Sequence, residues 1–93
     1  MATLWVTYWR DIPVLVTARD ETAEVTVPLE PAFQELIDRV AVHEGLSDSE
    51  AYLAEWRVGP EENHPGAAAA AATDRATALS GELAALRARY FGP

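Results

Sequence analysis

The sequence predicts an α+β domain: a three-stranded antiparallel β-meander packed against two or three α-helices. Three observations carry that prediction. Residues 3–28 hold three short runs in which β-branched, aromatic and aliphatic residues alternate, the pattern of half-buried strands. The period then changes to that of an amphipathic helix, and the last third of the chain is rich in alanine with a spaced leucine seam. With 93 residues there is chain for one domain and one modest core, so residues 1–93 are read as a single unit.

The first run is Thr3 to Trp9. Asp11-Ile12-Pro13 interrupts it, because proline has no amide hydrogen to give a strand ladder. A second run spans Val14 to Arg19, Asp20-Glu21-Thr22 forms a polar turn, and Ala23 to Val27 is the third run, ending at Pro28. Connections this short forbid parallel crossovers, which makes the three strands a meander. Side chains alternate between faces. Leu4, Val6 and Tyr8, with Val14, Val16, Ala18, Ala23, Val25 and Val27, form an apolar face that should receive the helices. The opposite face carries Trp5, Trp9 and Leu15 among threonines and charges.

Residues 31–57 are expected to form two helices. Phe33, Leu36, Ile37, Val40 and Ala41 fall at i, i+3, i+4, i+7 and i+8, with Pro31 suited to the first turn and Gly45 to a left-handed stop. Ser47-Asp48-Ser49-Glu50 reads as a capping box opening the second helix, in which Ser47 caps and Glu50 reaches back. Tyr52, Leu53 and Trp56 make its apolar side. Residues 58–66, with Gly59-Pro60 and Pro65-Gly66, are expected to be a loop. Residues 67–90 are expected to form one alanine-rich helix with Leu79, Leu83, Leu86 and Tyr90 on a seam and Gly81 as a weak point.

Charge and composition exclude several function classes. Fifteen Asp and Glu against seven arginines and no lysine give a net charge of −8, which repels nucleic acid and anionic lipid and suits a basic partner. The absence of cysteine removes disulfides, thiolate metal sites and cysteine nucleophiles. The N-terminus lacks the basic and apolar regions of a signal peptide, and no apolar run approaches the roughly 20 residues of a membrane span, so a cytoplasmic location is expected.

No catalytic, cofactor or metal site is expected. Ser47, Ser49 and Ser80 lack a glycine-elbow context, and no glycine-rich phosphate loop is present. His43 reads as a complement to a helix C-terminus, and His64 with Glu61 and Glu62 does not make a closed ligand set. Two constellations remain. Arg10 and Asp11 sit beside Trp9 at a strand end, either to grip a partner or to serve the turn, with Asp11 on turn amides and Arg10 packed on a ring or paired with a local acid. Trp5 and Trp9 are either an exposed aromatic patch of the kind found at interfaces or core residues covered by a helix.

The stretch Val6-Thr7-Tyr8-Trp9-Arg10-Asp11-Ile12-Pro13 resembles the opening of a small bacterial domain known as the virulence-factor domain, which also occurs in larger proteins of the conserved virulence factor C type. Phe33 with Ile37-Asp38-Arg39, and Tyr52-Leu53-Ala54-Glu55-Trp56, continue the resemblance, which covers residues 3–57. It implies no defined chemistry, and it implies a context of folate- and corrinoid-dependent one-carbon enzymes. The expected function is a non-catalytic protein–protein interaction module, an accessory or adaptor subunit that docks on a larger protein. Its partner-binding residues are Trp5, Trp9, Arg10, Asp11, Ile12 and Leu15. The alternative is a small subunit that completes a one-carbon methyltransferase or reductase through Arg10 and Asp11. Self-association as a homodimer is a third expectation.

Overall fold

A computed structural model of the chain describes residues 1–47 and 49–92. The architecture is α+β, and the predicted meander is its centre. Strands β1 (Ala2–Trp9), β2 (Ile12–Arg19) and β3 (Glu24–Pro28) pair antiparallel in sequence order. Helices α1 (Pro31–His43) and α2 (Glu50–Ala54) follow, then short strands β4 (Trp56–Val58) and β5 (Glu62–His64), then helices α3 (Ala68–Ser80) and α4 (Leu83–Phe91).

The segment expected to be a loop extends the sheet. Both β4 and β5 pair antiparallel with β1, β4 opposite Thr7 to Trp9 and β5 opposite Ala2 to Leu4. The two registers differ by one residue, so residues 56–64 are in effect a single edge strand broken by a bulge at 59–61. Between its halves the Gly59 amide still donates to the Val6 carbonyl at 2.8 Å. Glycine suits this position: a Cβ would come within 2.9 Å of the Tyr8 ring, which would have to shift to admit it. A bulge and a proline protect this edge from further pairing.

A second bulge resets the faces of the meander. Thr7 pairs with Leu15 but Tyr8 pairs with Pro13, which leaves Val14 as an extra residue on β2. Strict alternation therefore holds only above the bulge. There Ala2, Leu4, Val6, Val16 and Ala18 are buried on one face. Val14, expected among them, is only half-buried and lines a groove with Leu15.

That buried face is covered by α3, which packs on β1, β2 and β3. Its contact stripe is Ala68, Ala71, Ala72, Ala76 and Leu79, each at most 8 % exposed. The expected single helix of residues 67–90 breaks at Gly81. Just before it, the Ser80 hydroxyl donates to the Ala76 carbonyl at 3.0 Å, and a serine–glycine pair is a common cause of such a kink. The break turns α4 onto α1.

Helix α1 follows its sequence signals closely. Pro31 opens it, and Phe33, Leu36, Ile37, Val40 and Ala41 are its buried residues. At its end Gly45 takes φ +71°, the Gly45 amide donates to the Val42 carbonyl (3.1 Å) and the Leu46 amide to the Ala41 carbonyl (2.8 Å). This pair of bonds is a Schellman stop. Helix α2 is shorter than expected, because Trp56 leaves it to join the sheet. Its cap is Ser49 rather than Ser47, with Ser49 Oγ accepting from the Tyr52 amide at 3.2 Å. The Asp48 of the proposed box lies outside the described residues. Among those residues no helix is long and apolar enough to cross a membrane.

Helix α3 takes its cap from elsewhere in the chain. Ala67 offers no side-chain acceptor, and the Ala68 amide donates instead to Asp20 Oδ2 at 2.8 Å. Asp20 Oδ1 accepts from the Thr22 and Ala23 amides, both at 2.8 Å. These bonds, that from Ala68 first, hold the Asp20 carboxyl well below the ordinary aspartate range. A depressed carboxyl stabilises the fold above the unfolded-state pKa near 4, and the contribution is lost as pH falls below that. Asp20→Ala is therefore expected to lower Tm at pH 7 by several degrees. The gap between variant and parent should narrow as pH is taken from 5 toward 2 without closing, because the folded-state carboxyl still titrates below that range, as followed by circular dichroism melts. A gap unchanged between pH 5 and pH 2 would assign the effect to something other than this carboxylate.

Candidate functional site

The hairpin between β1 and β2 turns on Arg10 and Asp11 alone, since Trp9 pairs with Ile12. Arg10 takes φ +57°. The left-handed region costs an arginine about 1 kcal/mol, and tertiary bonds hold it there. The Arg10 amide donates to the Glu55 carbonyl at 3.0 Å, and the Arg10 carbonyl accepts from Arg57 Nε at 2.8 Å.

The Arg10 side chain is engaged as fully. Its two terminal nitrogens each donate to one oxygen of Glu44 at 2.8 Å, a bidentate pair, and Nε donates to Glu55. Its guanidinium carbon lies 4.8 Å from the centre of the Trp9 ring. The Glu44 hydrogen bonds raise the Arg10 pKa beyond its already high value, and Arg10 in turn holds Glu44 below the usual glutamate range. Asp11 bonds in the other direction. It accepts from Arg89 and from the Tyr90 hydroxyl of α4, and not from the turn amides assigned to it above. The Arg10–Asp11 tip is thus a clasp, with one residue tied to the ends of α1 and α2 and the other to the end of α4.

Trp9 and Ile12 are corrected outright as contact residues: both are 0 % exposed. By alternation Trp9 lies on the side of Trp5, but α2 closes that end of the face. Trp9 Nε1 donates to the Tyr52 carbonyl at 2.9 Å and its ring packs tilted on Tyr52, centres 5.6 Å apart.

Beyond Trp9 the outer face keeps accessible surface, although its central Thr17 is buried and the first turn of α1 borders its lower row. Trp5, Thr17 and Thr26 form one cross-strand row, and Val58, Thr7, Leu15 and Pro28 form the next. Trp5 and Leu15 are half-buried, Val58 is 64 % exposed, and the Arg19 guanidinium sits 5.5 Å from the Trp5 ring centre. A groove of about 310 Å³ runs along the lower row to the start of α1, with Leu15, Pro28, Pro31, Gln34 and Trp56 in its walls. Of the six residues proposed from sequence, the structure leaves Trp5 and Leu15 on this face. It adds Pro28, Trp56 and Val58, which sequence reasoning missed. Trp56 read as a helix residue, and three residues of β4 are too few to show a period of two.

Some of the other ionisable groups make local contacts. His64 Nδ1 accepts from the Gly66 amide (3.0 Å), so its proton is on Nε2, which donates to Asp74 at 3.1 Å. Glu62 pairs with Arg75 at 3.1 Å. His43 packs edge-on against Phe91, whose ring also carries Arg39 at 4.4 Å. Among the described residues no group of three or more His, Asp or Glu side chains is placed to hold a metal ion.

No curated protein matches this chain, and no solved structure does. A family does, and the match runs beyond residue 57 through α3 and most of α4, so the alanine-rich part that the resemblance left out is part of the family's domain. Residues 7–89 match the family described as "Virulence factor", and the chain belongs to that family.

Proposed function

We propose that the chain is a non-catalytic interaction module, an accessory subunit that docks on a larger protein through the outer face of its sheet. The observation that supports this is the asymmetry of cover. One face is sealed by α3, while the other keeps Trp5 and Leu15 half-buried beside an apolar groove. A tryptophan set among threonines and charges, next to a depression, has the character of an interface centre with a polar rim. The alternative, completion of a one-carbon enzyme's active site, relied on Arg10 and Asp11. Both are engaged by residues of this chain.

Trp5→Ser tests the reading. The variant is expected to retain the parent's circular dichroism spectrum and to melt within a few degrees of it. As bait in affinity purification from the native host, followed by mass spectrometry, it should recover its partner at least tenfold less well. Equal recovery with Trp5→Ser, or loss of the folded spectrum, would overturn the docking face.

A further inference from the structure

We propose that the free edge of β3 is a strand-addition site, and that its occupant is an extended, basic segment of the partner protein. The inference rests on the docking role above and gives the partner a chemistry. Strand order puts β3 at the end of the sheet, beside β2 only. The hydrogen bonds at both ends of this hairpin fix which groups face outward. The Asp20 amide donates to the Ala23 carbonyl and the Leu29 amide to the Val14 carbonyl. In the unbroken register between them, bonded and non-bonded pairs alternate. Val25 and Val27 therefore bond to β2, while the amide and carbonyl groups of Glu24 and Thr26 point away from the sheet. Pro28 occupies the next outward position, where a missing amide hydrogen costs β2 nothing. Glu24, Thr26 and Pro28 are all exposed.

An antiparallel segment on this edge would exchange four backbone bonds with Glu24 and Thr26, the strand-addition mode of recognition. Its side chains opposite Pro28, Thr26 and Glu24 would lie on the outer face. The one opposite Pro28 would stand at the groove that Pro28, Leu29, Glu30 and Pro31 border, which suits an apolar residue. The one opposite Glu24 meets a carboxylate, with the exposed Glu21 and Glu30 at either end of the strand, which suits arginine or lysine. Arg19, the nearby cation, lies over Trp5.

A second copy of the chain fits this edge worse. Pairing centred on Thr26 sets Glu24 against Pro28, which has no hydrogen to give. Pairing centred on Val25 keeps the four bonds but places two Glu24 carboxylates diagonally, roughly 7–8 Å apart on one face, between chains that each carry −8.

The test uses the full chain and a synthetic peptide, acetyl-Lys-Leu-Val-Thr-Val-Arg-Lys-amide, followed by amide shifts and hydrogen exchange in NMR. Titration is expected to move and protect the amides of Glu24 and Thr26. Methylating the peptide's threonine and arginine nitrogens, which removes two bonds and leaves the charge, should weaken binding about tenfold. Thr26→Pro should also weaken it about tenfold without unfolding the sheet, since that amide is not used by β2. Unmoved Glu24 and Thr26 amides at millimolar peptide, or equal binding of the methylated peptide, would overturn the proposal. So would a free protein that is dimeric in light scattering with these amides already protected. With the native partner the two readings separate. Capture lost by Trp5→Ser but kept by Thr26→Pro removes strand addition and leaves the docking face, whereas capture kept by both removes both.

Discussion

Trp9→Ala is expected to lower the free energy of unfolding by about 3–5 kcal/mol, the range for truncating a large buried aromatic side chain. The whole stability of a chain this long is roughly 5–14 kcal/mol, so the variant should be marginally folded or unfolded at 37 °C. The ring has no exposed surface and packs on Tyr52, with the Arg10 guanidinium over it. Its removal takes the contact that seats α2 on the sheet, and leaves the Tyr52 carbonyl without the indole donor. Trp9→Phe keeps most of the packing but not that hydrogen bond, and should cost about 1–2 kcal/mol. Urea titrations of the two variants against the parent would check the order. A Trp9→Ala protein with the parent's midpoint would return Trp9 to the list of contact residues and undo the assignment of α2 as the lid of that end.

The reason Trp9 reads as a surface residue in the sequence is physical. Alternation places it with Trp5, and alternation is a property of one strand. Its burial depends on Tyr52, 43 positions later, and on α2, five residues long and anchored by contacts that no local pattern announces. The extra residue at Val14 is equally silent, since valine suits either face and a one-residue slip exchanges them. Strands β4 and β5 have three residues each and exist because β1 offers them a ladder. By contrast α1 was legible to the residue. Its stripe, its Pro31 start and its Gly45 stop all act within one helix. The candidate site divides the same way. Trp5 and Leu15 were visible as apolar residues on a polar face. The reading of Arg10 as packed on a ring or paired with an acid holds, with Trp9 as the ring and Glu44 and Glu55 as the acids. Those acids, and the Arg89 and Tyr90 partners of Asp11, lie 34 to 79 positions away, so neither they nor the clasp they form could be named from local sequence.

The alanine tract carries the second large effect. Composition suggests that residues 67–72 supply helix propensity and a close-packing surface with little burial energy, and Ala68, Ala71 and Ala72 are indeed 0 % exposed against the sheet. Their value is in what they lack. A helix whose contact stripe ends at Cβ can lie close on a sheet, and here that stripe joins Leu4, Val6, Val16 and Ala18 in one buried cluster. Adding three carbons at the centre of that contact must push the helix outward or force side chains off their rotamers, and overpacking of this kind costs about 1–3 kcal/mol. Ala72→Leu is accordingly expected to destabilise by that amount even though leucine is a good helix former and more apolar than alanine. Ala69→Leu, one helical face away and exposed, should change stability by no more than about 0.5 kcal/mol. The contrast separates packing from propensity, because both substitutions alter propensity alike. If Ala72→Leu proved as stable as Ala69→Leu in chemical denaturation, the helix would be resting on the sheet loosely enough to admit a larger side chain. The inner face would then be incompletely filled, and the inference that only the outer face is left open for a partner would lose its footing.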